Sequence, residues 1–222
     1  MKIAFVFPGQ GSQSVGMFNG FNANATVRAV VDDASQAIGS NLWTLAENGP
    51  AEELGLTTNT QPIMLAGGAA FFQAWRARGG AMPAVVAGHS LGEYTALVAA
   101  GALTVPQAAA LVRFRADAMQ SAVPVGVGAM AAVMGLNAEA VRAVCAEAAQ
   151  GQVVEAVNYN EPAQTVIAGH KEAVERAGVA AKAAGAKRAL PLPVSAPFHS
   201  SLMKPAADRL AARLADEIIQ AP

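Results

Sequence analysis

Three residues far apart in the chain carry side chains that could cooperate in acyl-transfer chemistry: Ser90, Arg115 and His199. Ser90 lies in Gly88-His89-Ser90-Leu91-Gly92, a G-x-S-x-G pattern preceded by the apolar run Val85-Val86-Ala87 and followed by Glu93-Tyr94. A strand that reverses sharply into a helix leaves no room for Cβ atoms beside the apex, and glycine removes them. The serine hydroxyl is then exposed at the apex and close to a helix N-terminus. Unpaired N–H groups and the helix dipole there favour a developing negative charge. One turn thus offers a nucleophile together with donors for an oxyanion.

A serine needs a neighbouring base to become a nucleophile. The chain has three histidines, His89, His170 and His199. His89 is adjacent to Ser90, so its side chain is expected to point away, and His170 precedes a helix as an ordinary boundary residue. His199, in Phe198-His199-Ser200-Ser201, is left to act as base. Arg115 falls on the apolar stripe Ala108, Leu111, Val112, Met119 and Ala122 of a helix expected to run from Thr104, as cap, to about Ala122. Arg113 lies off the stripe with Asp117 four residues on as a surface partner. A guanidinium facing a core needs an anion. From spacing, that anion is either a carboxylate of the protein or a substrate carboxylate held in a bidentate fork.

The elements that must position these groups read as an α/β chain. With 222 residues, 53% apolar and 14% charged, most of the chain must pack. A net charge of −1 argues against a nucleic-acid binder. Cys145 is the only cysteine, which excludes an internal disulfide, makes a zinc cluster improbable and fits a buried structural thiol. The opening run meets Pro8-Gly9 too early for a signal peptide. The uncharged stretch Ala118 to Ala138 is interrupted by Pro124, Gly126, Gly128 and Gly135, so it is not a membrane span. A soluble, cytoplasmic protein is expected.

Lys2–Phe7 reads as a central parallel strand buried on both faces, followed by the ligand-type loop Pro8-Gly9-Gln10-Gly11-Ser12-Gln13. Helices are expected over Thr26–Ile38 and, with Thr60 as N-cap, from about Pro62 to Arg78, where Gly67-Gly68 implies close packing. Strand Ala84–Gly88 leads to the elbow and a helix to Gly101. From Gly128 the order becomes β-α-β-β-α-β: Ala129–Met134, a helix capped by Asn137 to about Ala149, Val153–Asn158, Gln164–Ala168, Lys171–Ala184 and Lys187–Leu192. A proline-punctuated crossing, Pro191–Pro197, leads to a last helix from Leu202 to about Ile219. The expected architecture is an α/β-hydrolase-like parallel-sheet domain over 1–125 and 193–222, with an inserted ferredoxin-like βαββαβ subdomain over 126–192.

Phe7-Pro8-Gly9-Gln10-Gly11-Ser12-Gln13, Gly88–Tyr94, Arg115 and Ala196-Pro197-Phe198-His199-Ser200 occur in one order with one set of spacings. Together they closely resemble the malonyl-CoA:acyl carrier protein transacylase family of bacterial fatty acid synthesis, over the whole chain. Thr60-Gln61-Pro62 and Val157-Asn158-Tyr159-Asn160 resemble further signatures of that family. The resemblance implies that Ser90 attacks the malonyl thioester and His199 moves its proton. It implies backbone N–H groups of Gln10 and Leu91 as oxyanion hole, and Arg115 on the free malonyl carboxylate. Gln61 and Phe198 would help bind substrate, with the Phe198 ring crowding a 2-methyl branch. No cofactor or metal is expected. The donor is malonyl-CoA, and the acceptor is the phosphopantetheine thiol of acyl carrier protein, with no nucleic-acid or membrane partner. Lys182, Lys187 and Arg188 stand as a docking surface for an acidic carrier protein or as a solvated cluster. Family members continue past the position of Pro222, so the chain is expected to lack a C-terminal segment that helps orient the histidine and covers a sheet face. Two other readings stay open: an esterase or thioesterase on the same elbow, and a non-catalytic fragment that only binds carrier protein or CoA.

Overall fold

The computed structural model describes residues 2–194 and 196–222. Ser195, inside the expected Pro191–Pro197 crossing, and Met1 lie outside the described residues. The chain forms two compact units, Met1–Asp117 with Asp216–Pro222, and Ala118–Ala215.

In the first unit, β1 (Ala4–Phe7) pairs in parallel with β2 (Val85–Gly88), with Ala4 opposite Val85 and Phe7 opposite Gly88. Side chains alternate between the two faces of a strand. Phe5, Phe7 and Val86 turn inward onto α4 (Thr57–Ala77) and α5 (Gly92–Ala99), where Phe7 packs with Phe72, Ala96 and Ala99. The Phe5 and Phe72 rings meet edge to face at 5.5 Å, a favourable quadrupole arrangement. The opposite face is exposed, with Val6 78% and Val85 61% accessible. The expectation of a strand buried on both faces is therefore corrected: an uninterrupted apolar run does not reveal whether a second layer covers it.

Helix α1 (Ala25–Ile38) starts at Asn24, whose side chain accepts from the Thr26 and Val27 N–H groups. It is followed by α2 (Leu42–Asn48) and α3 (Ala51–Gly55), short helices not expected from the sequence. Thr60 is not the N-cap of α4. The helix starts one turn earlier, after Leu56, and the Thr60 hydroxyl donates back to the Leu54 carbonyl at 2.6 Å. Gly67 and Gly68 do mark close approach: a Cβ on Gly67 would lie 3.2 Å from the Phe18 ring, and one on Gly68 2.8 Å from Thr95 Cγ2. Helix α6 (Val105–Ser121) opens on Thr104, which exchanges hydrogen bonds with Gln107. This is the reciprocal satisfaction of a capping box.

The second unit is built on four antiparallel strands: β3 (Gly128–Met134), β4 (Val154–Glu161), β5 (Gln164–His170) and β6 (Arg188–Pro191), in spatial order β4-β5-β3-β6. With α7 (Ala138–Ala149) and α8 (Lys171–Ala183), this is the ferredoxin-like order. Asn137 caps α7 by accepting from the Ala140 N–H. One face of the sheet, Ala131, Val133, Val154 and Ile167, packs on α7 and α8. The other, Met130, Ala132, Val166 and Ala168, packs on Ala118, Met119, Val123, Ala196, Phe198, Met203 and Ala206. Both faces are thus apolar and covered. This is why residues 118–125 and 193–215 group with the antiparallel sheet rather than with the first unit. The last helix, α9 (Lys204–Ala215), follows a 3-10 turn at Ser201–Met203 and ends short of Ile219. Residues 216–222 return to the first unit, where the Gln220 N–H donates to the Ala102 carbonyl at 3.0 Å. No described helix is long and apolar enough to cross a membrane.

Candidate active site

The elbow is shaped by backbone crowding. A Cβ on Gly88 would lie 1.9 Å from the Gly92 carbonyl carbon, and one on Gly92 2.3 Å from the Phe7 carbonyl oxygen. No side chain fits either position, because the opposing atoms are backbone. The turn is tied down by the His89 N–H to the Phe7 carbonyl at 3.0 Å and the Gly92 N–H to the His89 carbonyl at 2.9 Å. Ser90 sits at the apex with φ 54°, a left-handed conformation. Leu91, buried beneath the apex, is the residue from which α5 starts. The Leu91 amide thus belongs to the positive end of a helix beside the Ser90 hydroxyl.

Arg115 is half-buried, and both of its side-chain partners are neutral. Nη1 donates to Gln61 Oε1 at 2.6 Å and Nη2 donates to Ser90 Oγ at 3.0 Å. The ion pairs of the described residues do not include Arg115, whereas Arg113 does pair with Asp117 at 3.4 Å. A cation is thus held against the nucleophile by two neutral oxygens. Burial pulls the Arg115 pKa down from its ordinary value, and the nearby Tyr94 hydroxyl on α5 opposes that. Burial raises the Tyr94 pKa, with Arg115 acting against it. A half-dehydrated guanidinium that makes no carboxylate pair is the group that a substrate carboxylate would satisfy.

Gln10 and Gln61 join the same cluster through a residue the sequence reading passed over. Thr57 Oγ1 donates to Gln10 Oε1 at 2.8 Å and accepts from Gln61 Nε2 at 3.2 Å. Thr57 and Gln61 are each 1% accessible. Their spacing of four residues on α4 offered a signal. A polar pair on the buried face of an apolar helix calls for partners.

His199 and Phe198 lie on the second unit. Phe198 is buried in the apolar layer of the antiparallel sheet, and His199 is exposed with φ 66°. The loop is pinned by the Ser200 hydroxyl donating to the Pro197 carbonyl at 2.7 Å and by the Ser201 N–H donating to Glu155 Oε2 at 2.7 Å. Among the described non-glycine residues, positive φ occurs at Ser90, Gln150 and His199. Gln150 ends α7 in an ordinary left-handed C-cap. The other two carry the candidate chemistry, and strain of this kind gathers at functional sites. His170 accepts from the Val153 N–H through Nδ1 at 3.0 Å, a structural bond. Cys145 is buried in the α7–α8 layer. Lys182, Lys187 and Arg188 are exposed. No group of three or more His, Cys, Asp or Glu side chains among the described residues is placed to hold a metal ion.

Comparison with known proteins gives a consistent result. The model of the acyl transferase domain family matches residues 4–222. A malonyl CoA-acyl carrier protein transacylase of Salmonella typhimurium is 56% identical over 222 residues, covering all of this chain and 72% of that protein. The structure of an acyl-carrier-protein S-malonyltransferase from Burkholderia pseudomallei superposes with a TM-score of 0.97 at 64% identity, again over the whole chain and 72% of the other. A structure of a type II PKS acyl-carrier protein in complex with its malonyl-transacylase matches with a TM-score of 0.98 at 52% identity, over 100% and 72%.

Proposed function

The chain belongs to the malonyl-CoA:acyl carrier protein transacylase family of acyl transferase domains, and we propose that it moves a malonyl group from malonyl-CoA to the phosphopantetheine thiol of acyl carrier protein through a Ser90 ester. The observation that carries this reading is the 3.0 Å hydrogen bond between the Arg115 guanidinium and Ser90 Oγ. An acyl donor with a free carboxylate finds its counter-ion beside the nucleophile. An esterase on the same elbow has no use for that cation.

In the first half-reaction, Ser90 Oγ attacks the thioester carbonyl carbon as His199 takes the hydroxyl proton. Because Oγ accepts from Arg115, its lone pair there is occupied and its own proton is the one donated. The carbonyl oxygen becomes an oxyanion, stabilised by the N–H groups of Gln10 and Leu91. Collapse breaks the C–S bond, and the imidazolium returns its proton to the departing CoA thiolate. In the second half, His199 takes the proton of the carrier thiol, whose sulfur attacks the malonyl-Ser90 ester, and Ser90 leaves with that proton restored. Arg115 grips the malonyl carboxylate throughout. Gln61 positions Arg115, and Phe198 bounds the acyl group near C2. Side chains and backbone supply the whole proton inventory, so no resident cofactor is invoked. We place the reaction in the cytoplasm.

Incubation with malonyl-CoA followed by intact-mass measurement tests the proposal. One malonyl group should add to the protein, transfer to holo carrier protein on addition of the latter, and be absent in Ser90→Ala. A folded wild-type chain that acquires no adduct overturns it.

A further inference from the structure

Thr57 occupies the first turn of α4, yet its side chain is not used as a helix cap. It lies buried between two glutamines from different parts of the chain. A threonine hydroxyl has one proton to give. Thr57 gives it to Gln10 Oε1, so toward Gln61 it can only accept. That fixes which end of the Gln61 amide faces which neighbour. Nε2 points to Thr57, and Oε1 points to Arg115 Nη1. With the amide turned over, its NH₂ would confront the guanidinium N–H groups, donor against donor. Its oxygen would then meet a hydroxyl whose proton is already committed.

The bonds run in one sense: Arg115 donates to Gln61, Gln61 to Thr57, and Thr57 to Gln10. Donors and acceptors aligned in sequence polarise and reinforce one another. We propose that Thr57 is a positioning residue for acyl-donor selectivity: it orients the Gln61 amide so that Gln61 holds one arm of Arg115, leaving the guanidinium set for the acid group of the substrate. Thr57 touches no substrate and acts through Gln61. This inference rests on the reading of Arg115 as the carboxylate clamp.

The test compares acylation of the whole 222-residue chain by malonyl-CoA and by acetyl-CoA, which lacks the free carboxylate. Rates come from intact mass at sub-saturating donor. Removing the hydroxyl that bonds both Gln10 and Gln61 while keeping side-chain volume, Thr57→Val should lower the malonyl-to-acetyl rate ratio about tenfold. Thr57→Ser should restore it. Should the valine variant fail to fold, Thr57→Cys, whose thiol is a weak donor and acceptor, makes the same comparison. Equal loss for both donors, an unchanged ratio, or a serine variant as impaired as the valine one overturns the inference. Arg115→Ala run alongside separates the two levels. If it collapses the ratio while the Thr57 variants do not, only the role of Thr57 falls. If it leaves the ratio intact, the reading of Arg115 falls, and this inference with it.

Discussion

Arg115 and Ser90, 25 residues apart in sequence, are joined by a single hydrogen bond from Nη2 to Oγ, while the other arm of the guanidinium is held by Gln61. The fork therefore serves two partners at once, which a point charge on a flexible stem cannot do. Arg115→Lys keeps the charge and loses the fork. Malonylation of Ser90 should slow by about tenfold or more, roughly the worth of one charge-assisted hydrogen bond. A lysine variant that acylates at the wild-type rate would show that charge alone suffices.

The elbow glycines predict a stability effect separable from chemistry. A methyl group on Gly88 would be driven into the backbone of Gly92 and Glu93, with no flexible side chain to give way. Gly88→Ala should cost at least about 3 kcal/mol, at the upper end of overpacking effects. Urea denaturation measures it, and a loss below about 1 kcal/mol would mean the turn relaxes more readily than its contacts suggest.

Cys145 should be inert in the folded protein. Burial, with a contribution from the Glu155 carboxylate, pushes its thiol from 9.0 up to about 11. At pH 8 the thiolate is scarce and the sulfur is covered, so a disulfide reagent should label it only on unfolding in denaturant. The folded state holds this proton more tightly than the unfolded state. The associated stability is therefore complete below about pH 9 and is lost as pH rises through about 11. A chemical-denaturation series across that window checks the sign, with Cys145→Ala as the control that flattens it.

Arg176 closes the C-terminal end of α7. Its Nε donates to the Ala148 carbonyl at 3.1 Å, and its Nη2 donates to the Ala149 carbonyl at 3.2 Å and to Gln152 Oε1 at 2.9 Å. These are orphan helix-end carbonyls, at the negative end of the helix dipole. Arg176→Ala should destabilise the protein by about 1–3 kcal/mol in thermal or urea unfolding, and leave the malonyl-to-acetyl ratio unchanged.

What could be read in advance divides by the range of the signal. Local rules located Asn137 as a cap, the ferredoxin-like order and the elbow, since each is written within a few residues. Arg115 was exposed as unusual by helical periodicity. Its partners were not, because Gln61 is 54 residues away and Thr57 meets Gln10 across 47. Thr60 was misplaced as a cap because Leu56-Thr57-Thr58-Asn59-Thr60 offers several capping types within one turn, and the winner depends on where α3 ends. The contact grouping extends beyond the βαββαβ order because the sheet of the second unit is covered on both faces. Residues 193–215 supply cover from beyond the last strand.

The left-handed backbone at Ser90 has a thermodynamic corollary. An L-residue held at φ 54° sacrifices roughly 1–2 kcal/mol that glycine would not. Replacing this serine by glycine should therefore yield a catalytically dead protein that melts at a higher temperature than its parent. The folded molecule carries its own nucleophile as a standing deficit, tolerated for what the hydroxyl does at that angle.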